Sequence, residues 1–368
     1  MKILLINQHM LDWIGGSEIQ CDLIASYLLR FGHQVYYGVV RPNNISYKTP
    51  YSCIRIQRPF FWFFFKMLIK IKPHVIYWRF HKNHLLYSTI LCKILGVKFV
   101  FGTSSILDYK KILPFDSISS FKGHCKLKSL YNFMKYFLKY IKRQFKHFVN
   151  FYGFYFVDLL IDIRKEFSGI LPVKKEIVIY NSMLADKISF KWQKPYIAWV
   201  ANLKPNKNPK VFTELADSFR DYDVDFLMIG RIQHQKFNYV KEYNQKKVNF
   251  HYLGIKSVEE VNGVISSSLF LVHTCDPEGF GNIFIQAWLQ GKPVVSLYFD
   301  PDSIMQKNKI GFLSESFEKM ISDVRKLIED DKLRDRMGNT AKTFAEQNFN
   351  PKINIKRLEK FLLELTGS

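Results

Sequence analysis

Glu278 heads the run Glu278-Gly279-Phe280-Gly281-Asn282, between an apolar stretch ending at His273 and a helical pattern that carries Gln286. A carboxylate accepts hydrogen bonds from sugar hydroxyls, and a glycine-containing turn at a helix start leaves amide donors beside it. The eight-residue spacing of Glu278 and Gln286, near two helical turns, places both toward one cleft. A second set leaves another strand, Ala201-Asn202-Leu203-Lys204-Pro205-Asn206-Lys207, where Lys204 and Lys207 suit a diphosphate. A third is Trp13-Ile14-Gly15-Gly16-Ser17-Glu18, where missing Cβ atoms let a phosphate approach backbone amides at a helix start. Each also has a plain reading: a turn with Ser17 as N-cap, a solvated Asn-capped loop, a charged capping loop. None is the Gly-x-Gly-x-x-Gly fingerprint, which disfavours a nicotinamide enzyme.

These loops need a scaffold of strands. Lys2–Asn7, a helix over Ser17–Arg30 and Gln34–Val40 read as βαβ, so a parallel sheet is expected. His74–Trp78, Lys98–Gly102 and Asp158–Asp162 extend it, with Leu85–Leu95 as a helix between the first two. The pattern restarts after Trp192-Gln193-Lys194-Pro195 with strands Tyr196–Ala201, Asp225–Ile229, Val248–Leu253, Leu269–His273 and Pro293–Leu297. Helices are expected around Pro209–Phe219, Val258–Ser267 and Asn282–Gln290, then through Phe317–Leu365 with breaks at Asp330-Asp331 and Asn350-Pro351. The expected class is α/β, with two doubly wound Rossmann-like domains, 1–190 and 191–350, and a C-terminal helix, 351–368, packing back on the first.

The 368 residues carry a formal charge of +22, concentrated in residues 1–190, where 28 Lys and Arg face 10 Asp and Glu. Such a surface attracts phosphates, nucleic acid or an acidic membrane face. No helix-turn-helix, RNA-recognition or zinc pattern packages the charge, so specific nucleic-acid binding is not expected. Five widely spaced cysteines suggest a reduced, cytoplasmic chain, and the histidines, His273 among them, have no ligand-like spacing. The apolar cluster Pro59–Phe65 is broken by Lys66, Lys70 and Lys72, short of the ~20 residues that span a bilayer. Over Leu127–Phe156, Lys128, Lys135, Lys139, Lys142, Arg143 and Lys146 interleave with aromatics, as in a helix lying among headgroups or a core helix with a solvated basic face.

Together the three loops resemble the retaining GT-B glycosyltransferase family 4, glycosyl transferases group 1, of the bacterial surface-polysaccharide type, over nearly the whole chain. Gly15-Gly16 matches its early glycine loop, Ile177–Asn181 its mid-chain Asn after a strand, and Ala201–Lys207 its Gly-Arg-Leu-x-x-x-Lys element. Glu278–Ala287, Gly291-Lys292-Pro293-Val294-Val295 and Asn308–Phe312 match later elements. The resemblance implies two Rossmann-like domains facing a cleft and transfer of a hexose or amino-sugar, with retention, from a UDP- or GDP-sugar. It implies no cofactor and no required metal. The implied acceptor is an oligosaccharide, lipid-linked, in O-antigen or capsule synthesis, with the protein peripheral on an anionic membrane at the inner face of the plasma membrane. By position, Lys207 would neutralise the diphosphate, Glu278 would hold sugar hydroxyls, and Gly279, Phe280, Gly281 and Asn282 would offer amides. Gly15 and Gly16 would line the diphosphate and acceptor side, and backbone groups near Gly230 and Tyr252-Leu253-Gly254 would select the base. Three positions depart from the family. Its phosphate-binding Arg falls on Asn202, leaving Lys204 or another base to substitute. Its second Glu falls on Gln286, whose amide oxygen can still accept from ribose. Its acceptor-side His falls near Ser104 and Ser105, which cannot act as a base at neutral pH. The alternative implied by these departures is a nucleotide-sugar-binding module that no longer turns over.

Overall fold

The computed structural model describes residues 1–44, 46–80, 82, 84–105, 108–109 and 130–367, without the side chains of 130–137, 143, 144 and 147. His81, His124, Cys125 and Lys128 fall outside the described residues, as do the side chains of Lys135 and Arg143. The chain divides into two compact units, Met1–Tyr180 with Ile355–Ser368, and Asn181–Asn354.

In the first unit seven strands, β1 (Lys2–Asn7), β2 (Gln34–Val40), β3 (Ser52–Ile56), β4 (Val75–Trp78), β5 (Lys98–Gly102), β6 (Leu159–Asp162) and β7 (Glu176–Val178), form a sheet in the order β3-β2-β1-β4-β5-β6-β7. All neighbours run parallel. Parallel sheets bury both faces, which is why β1 is continuously apolar. Along it Ile3 and Leu5 enter one core cluster, Leu4 and Ile6 the other. Helices α1 (Gly16–Arg30), α2 (Phe60–Ile71), α3 (Leu85–Ile94) and α4 (Leu130–Phe151) complete the unit with the C-terminal residues. The Pro59–Phe65 cluster is thus the start of α2, whose Phe64, Met67, Leu68 and Ile71 are buried while Phe61 and Trp62 are exposed.

The second unit repeats the plan with β8 (Tyr196–Val200), β9 (Asp225–Ile229), β10 (Phe250–Gly254), β11 (Leu271–His273), β12 (Val294–Ser296) and β13 (Gly311–Leu313), in the order β10-β9-β8-β11-β12-β13. Its helices are α5 (Pro209–Ser218), α6 (Tyr239–Lys246), α7 (Val258–Ser267), α8 (Asn282–Leu289), α9 (Ile304–Asn308), α10 (Phe317–Glu329) and α11 (Asp331–Asn348). Helix α12 (Pro351–Thr366) follows, and from Ile355 it counts with the first unit, where Ile355, Leu358 and Leu362 join the core of β1 and α1. His33 Nε2 and Glu359 Oε1 lie 2.8 Å apart there. Both sheets reverse strand order beside their first strand, the switch point at which α/β sheets bind ligands beyond the carboxyl ends.

The unit boundary falls ten residues before the expected domain boundary at 190/191 because the segment after Tyr180 is held by the second unit. Asn262 Nδ2 donates to the carbonyls of Leu184 and Asp186 at 3.1 and 2.7 Å, and Ile188 N donates to Glu259 O at 3.0 Å. Among the described residues, no helix is long and apolar enough to cross a membrane.

Candidate functional site

In the second unit, the loops leaving β8 and β11 are joined into one structure. Asn208 Nδ2 donates to Thr274 O at 3.2 Å, and the Thr274 hydroxyl donates to Lys207 O at 2.7 Å while accepting from Trp199 Nε1 at 2.9 Å. Asp276 N donates to Asn206 O at 2.9 Å, and Asn206 Nδ2 donates to Pro277 O at 3.2 Å. Thr274 and Asn206 thereby fix Lys207 against Glu278, and the two side chains form an ion pair. Lys204, by contrast, is exposed on the same loop.

Glu278 is the most strongly perturbed carboxylate at this site. Burial alone would raise its pKa, but the Lys207 ammonium paired with it outweighs burial and holds it well below the usual carboxylate range. Burial likewise lowers Lys207, and the Glu278 charge reverses that, leaving Lys207 above its ordinary value. His273 Nε2 lies 3.8 Å from Glu278 Oε2, too far for a hydrogen bond, and its Nδ1 is 3.2 Å from Ser296 Oγ. Burial keeps its pKa low, so the ring is neutral at neutral pH.

The turn after Glu278 is shaped by its own carboxylate, since Gly279 N donates to Glu278 Oε1 at 3.0 Å. Gly281 has φ 77° and caps α8, a left-handed conformation that favours glycine. The Phe280 ring is buried against Phe349, 5.7 Å between centroids, which anchors the turn to the core of the unit. Asn282 Oδ1 accepts from Asn181 Nδ2 at 2.7 Å, which ties the mid-chain Asn to the start of α8.

The spacing argument for Gln286 fails in one respect, because α8 begins only at Asn282 and Glu278 precedes it. Gln286 is buried, and its Nε2 donates to Asn262 Oδ1 on α7 at 2.8 Å. Gly230 is a further correction. Its N–H donates to Gly254 O at 2.8 Å and its carbonyl accepts from the Tyr252 hydroxyl at 2.7 Å, so its donor is already used inside the sheet. With φ 147°, a Cβ at this position would collide with the Ala201 carbonyl. Asn202 Oδ1 accepts from Arg231 N at 3.2 Å, so the neutral residue at the family's Arg position anchors a loop that carries a different Arg.

His273, Cys275 and Glu278 place ligand atoms within 4.8 Å of one another, a convergence that sequence spacing did not indicate. As a cation site it is opposed by chemistry: Glu278 already holds an ammonium, and burial pushes the Cys275 thiol up to about 12, far from the thiolate a metal requires.

In the first unit the sequence-derived residues sit in two places. Gly15, not Ser17, is the N-cap of α1. The Ser17 hydroxyl instead accepts from Asn7 Nδ2 at 3.0 Å and donates to Arg79 O at 3.3 Å. Ser104 and Ser105 follow β5, where their backbone amides donate to Asp108 Oδ2 at 2.9 and 3.0 Å. Burial raises the Asp108 pKa against those bonds and the Lys82 charge. Nearby Asp162, at the end of β6, accepts from the Tyr109 hydroxyl at 2.6 Å, and burial pushes its pKa up to about 6. Neither Asp108 nor Asp162 was singled out by motif.

Residues 184–344 match the family described as glycosyl transferases group 1. An uncharacterized glycosyltransferase of Methanocaldococcus jannaschii is 25% identical over 47% of this chain and 49% of its own length. The capsular polysaccharide biosynthesis glycosyltransferase CapM of Staphylococcus aureus is 27% identical over 42% of this chain and 44% of its own. The aligned part thus spans about half the length of these curated relatives. Among solved structures, Anabaena HepE in complex with UDP and glucose has a TM-score of 0.71 at 17% identity, covering 99% of this chain and 100% of that one. WaaG, a glycosyltransferase involved in lipopolysaccharide biosynthesis, has a TM-score of 0.69 at 13% identity with both chains fully covered. At these identities the likeness is one of fold, and that fold is GT-B.

Proposed function

We propose that the chain is a retaining glycosyltransferase that moves a hexose or amino-sugar from a UDP- or GDP-sugar to a saccharide acceptor in surface-polysaccharide synthesis. The observation that carries this is the pairing of Lys207 with Glu278 where the loops after β8 and β11 are joined, inside the segment that matches the family. When a nucleotide-sugar enters, its diphosphate competes for the Lys207 ammonium and frees Glu278 to accept from sugar hydroxyls. The bond from the anomeric carbon to the leaving diphosphate breaks, the acceptor oxygen bonds on the same face, and the acceptor proton passes to a leaving phosphate oxygen. No metal is required in this reading, because Lys207, the α8 N-terminus and a second base, Lys204 or Arg231, supply the positive field. HepE was solved with UDP and glucose, which supports a uridine donor by analogy.

The test is a thermal-shift screen of the purified chain against nucleotides and nucleotide-sugars, since a ligand that binds only the native state raises Tm. One nucleotide-sugar that shifts Tm selectively, and whose sugar the protein transfers or slowly hydrolyses, is the expected result. A folded protein that none of them shifts would end the reading.

The acceptor is proposed to be lipid-linked, and the protein peripheral on the cytoplasmic face of an anionic membrane. On α4, Leu138 and Phe145 are exposed beside exposed Lys139, Lys142 and Lys146, a mixed apolar and basic face suited to headgroups. Replacing Lys139 and Lys142 by Glu is expected to reduce co-sedimentation with phosphatidylglycerol vesicles severalfold. Unchanged sedimentation would remove the membrane assignment.

A further inference from the structure

The first unit holds a cavity of about 890 Å³ that no motif predicted. It opens beyond the carboxyl ends of β2 and β3, where parallel α/β sheets hold ligands. Four cationic residues from three stretches of chain line it: Arg41 after β2, Arg55 and Arg58 at and beyond the end of β3, and Lys146 on α4. No carboxylate is among the described lining residues. Like charges brought together repel one another, and an anion bound among them lowers that cost.

Three local features point the same way. Arg55 is half-buried, and its Nε is buried with no hydrogen-bond partner among the described residues, a donor left for something the chain does not provide. Arg41 and His84 both hold left-handed backbone, φ 55° and 70°, and residues kept in sparsely populated conformations cluster at ligand sites. His84 stacks on Phe60 with ring centroids 4.5 Å apart, so one wall is flat and aromatic. Burial, with Lys146 and Arg41 nearby, lowers the His84 pKa to about 4, so the imidazole stays neutral and adds no further repulsion.

We propose that this cavity binds a phosphate or diphosphate group carried by the acceptor. Arginine suits that task because its guanidinium presents paired donors to phosphate oxygens. The anion site stands on the cavity alone, whereas its assignment to the acceptor rests on the glycosyltransferase reading. Phe61 and Trp62, one and two residues past the cavity wall on α2, are 54% and 49% exposed, and they offer an apolar surface to a hydrocarbon attached to the phosphate.

The experiment is a calorimetric titration of the full chain with inorganic pyrophosphate, farnesyl diphosphate and UDP. It compares the native protein with Lys207→Ala and with the double variant Arg55→Gln/Arg58→Gln. The double variant is expected to bind pyrophosphate at least about tenfold more weakly while keeping its UDP affinity. Should that variant lose its folding transition, Arg58→Glu replaces it, since Arg58 is exposed and its change leaves the core untouched. Farnesyl diphosphate binding tighter than pyrophosphate would assign a lipid-linked phosphate, and equal affinities a water-soluble one, both with the cavity as the site. Pyrophosphate that fails to bind, or that binds the double variant at native strength and is lost only in Lys207→Ala, overturns the proposal. A native protein that binds pyrophosphate here but no nucleotide or nucleotide-sugar in the thermal-shift screen would sink the transferase reading and leave the anion site standing.

Discussion

The two units treat charge at their candidate sites in opposite ways. In the second, the cation and the carboxylate hold each other: Lys207 pairs with Glu278, and even the neutral Gln286 is matched by Asn262. In the first, among the described residues, the wall of the β2 and β3 cavity carries cations and no carboxylate, and Asp162 is fully buried with Oδ2 unpartnered. A site whose ions are mutually satisfied is stable when empty, and its ligand must exchange with one of them. A site with surplus charge of one sign is strained when empty and is relieved by its ligand. Removing one member of a pair in the second unit should therefore do harm, and neutralising a lone charge in the first should help.

The sharpest way to break this contrast is Glu278→Ala. It leaves the Lys207 ammonium, 16% exposed, without its partner, and a stability loss of about 3–5 kcal/mol is expected. Turnover should fall by about 100-fold or more if Glu278 orients the donor sugar. Glu278→Gln separates the two effects, since the amide oxygen still accepts from Lys207 while the charge is gone. Its stability should fall less than that of Ala, with activity still reduced. The pair is also acid-sensitive. Because Glu278 titrates well below its unfolded value, its stabilisation is complete above the ordinary carboxylate pKa and fades as pH falls below it. Urea melts and donor turnover measured on both variants decide the matter, and full turnover by Glu278→Ala would refute the role.

Asp162 supplies the opposite sign. Its folded pKa, about 6, exceeds the ~3.9 of an unfolded Asp, so the unfolded chain releases its proton first as pH rises. Stability is therefore lost between those two values and stays low above them, by about 3 kcal/mol in total. Asp162→Asn cannot ionise, and it keeps an oxygen for the Tyr109 hydroxyl. The variant should match the native protein near pH 4 and exceed its stability at pH 7.5, the comparison being made by urea melts at both values. A variant less stable at both would show that the carboxyl has a counter-charge and would erase the contrast between the units.

How much of this was legible in the sequence follows from how local each feature is. Strands such as Lys2–Asn7, Gln34–Val40 and Asp225–Ile229 lie where the apolar runs put them, because strands buried on both faces leave uninterrupted hydrophobic segments. Ser52–Ile56 escaped notice, being short and half-buried with Arg55 breaking the apolar signal, and the strand Glu176–Val178 entered only through the family resemblance at Ile177–Asn181. The loops bearing Lys207 and Glu278 were readable from their residue types, but the pairing was not, since the two are 71 positions apart. The cavity cations come from a strand, two loops and a helix, each ordinary on its own, and only folding makes their charge a group.

Gln286 offers the finest test, because there a single atom distinguishes matched from unmatched. Asn262 is fixed by its amide nitrogen, which donates to the carbonyls of Leu184 and Asp186, and so it presents Oδ1 to α8 as an acceptor that needs a donor. Gln286 supplies that donor, whereas the family's Glu, when ionised, has none to give. Gln286→Glu should therefore not restore a family function. It should set two oxygens against each other in a buried contact and cost about 1–3 kcal/mol. The penalty should shrink at low pH, where a protonated Glu can donate to Asn262. Urea melts at pH 7.5 and pH 4.5 measure it. A variant as stable as the native protein at pH 7.5 would mean that Asn262 turns over to meet the carboxylate, and that pairing in the second unit is more adaptable than the contrast allows.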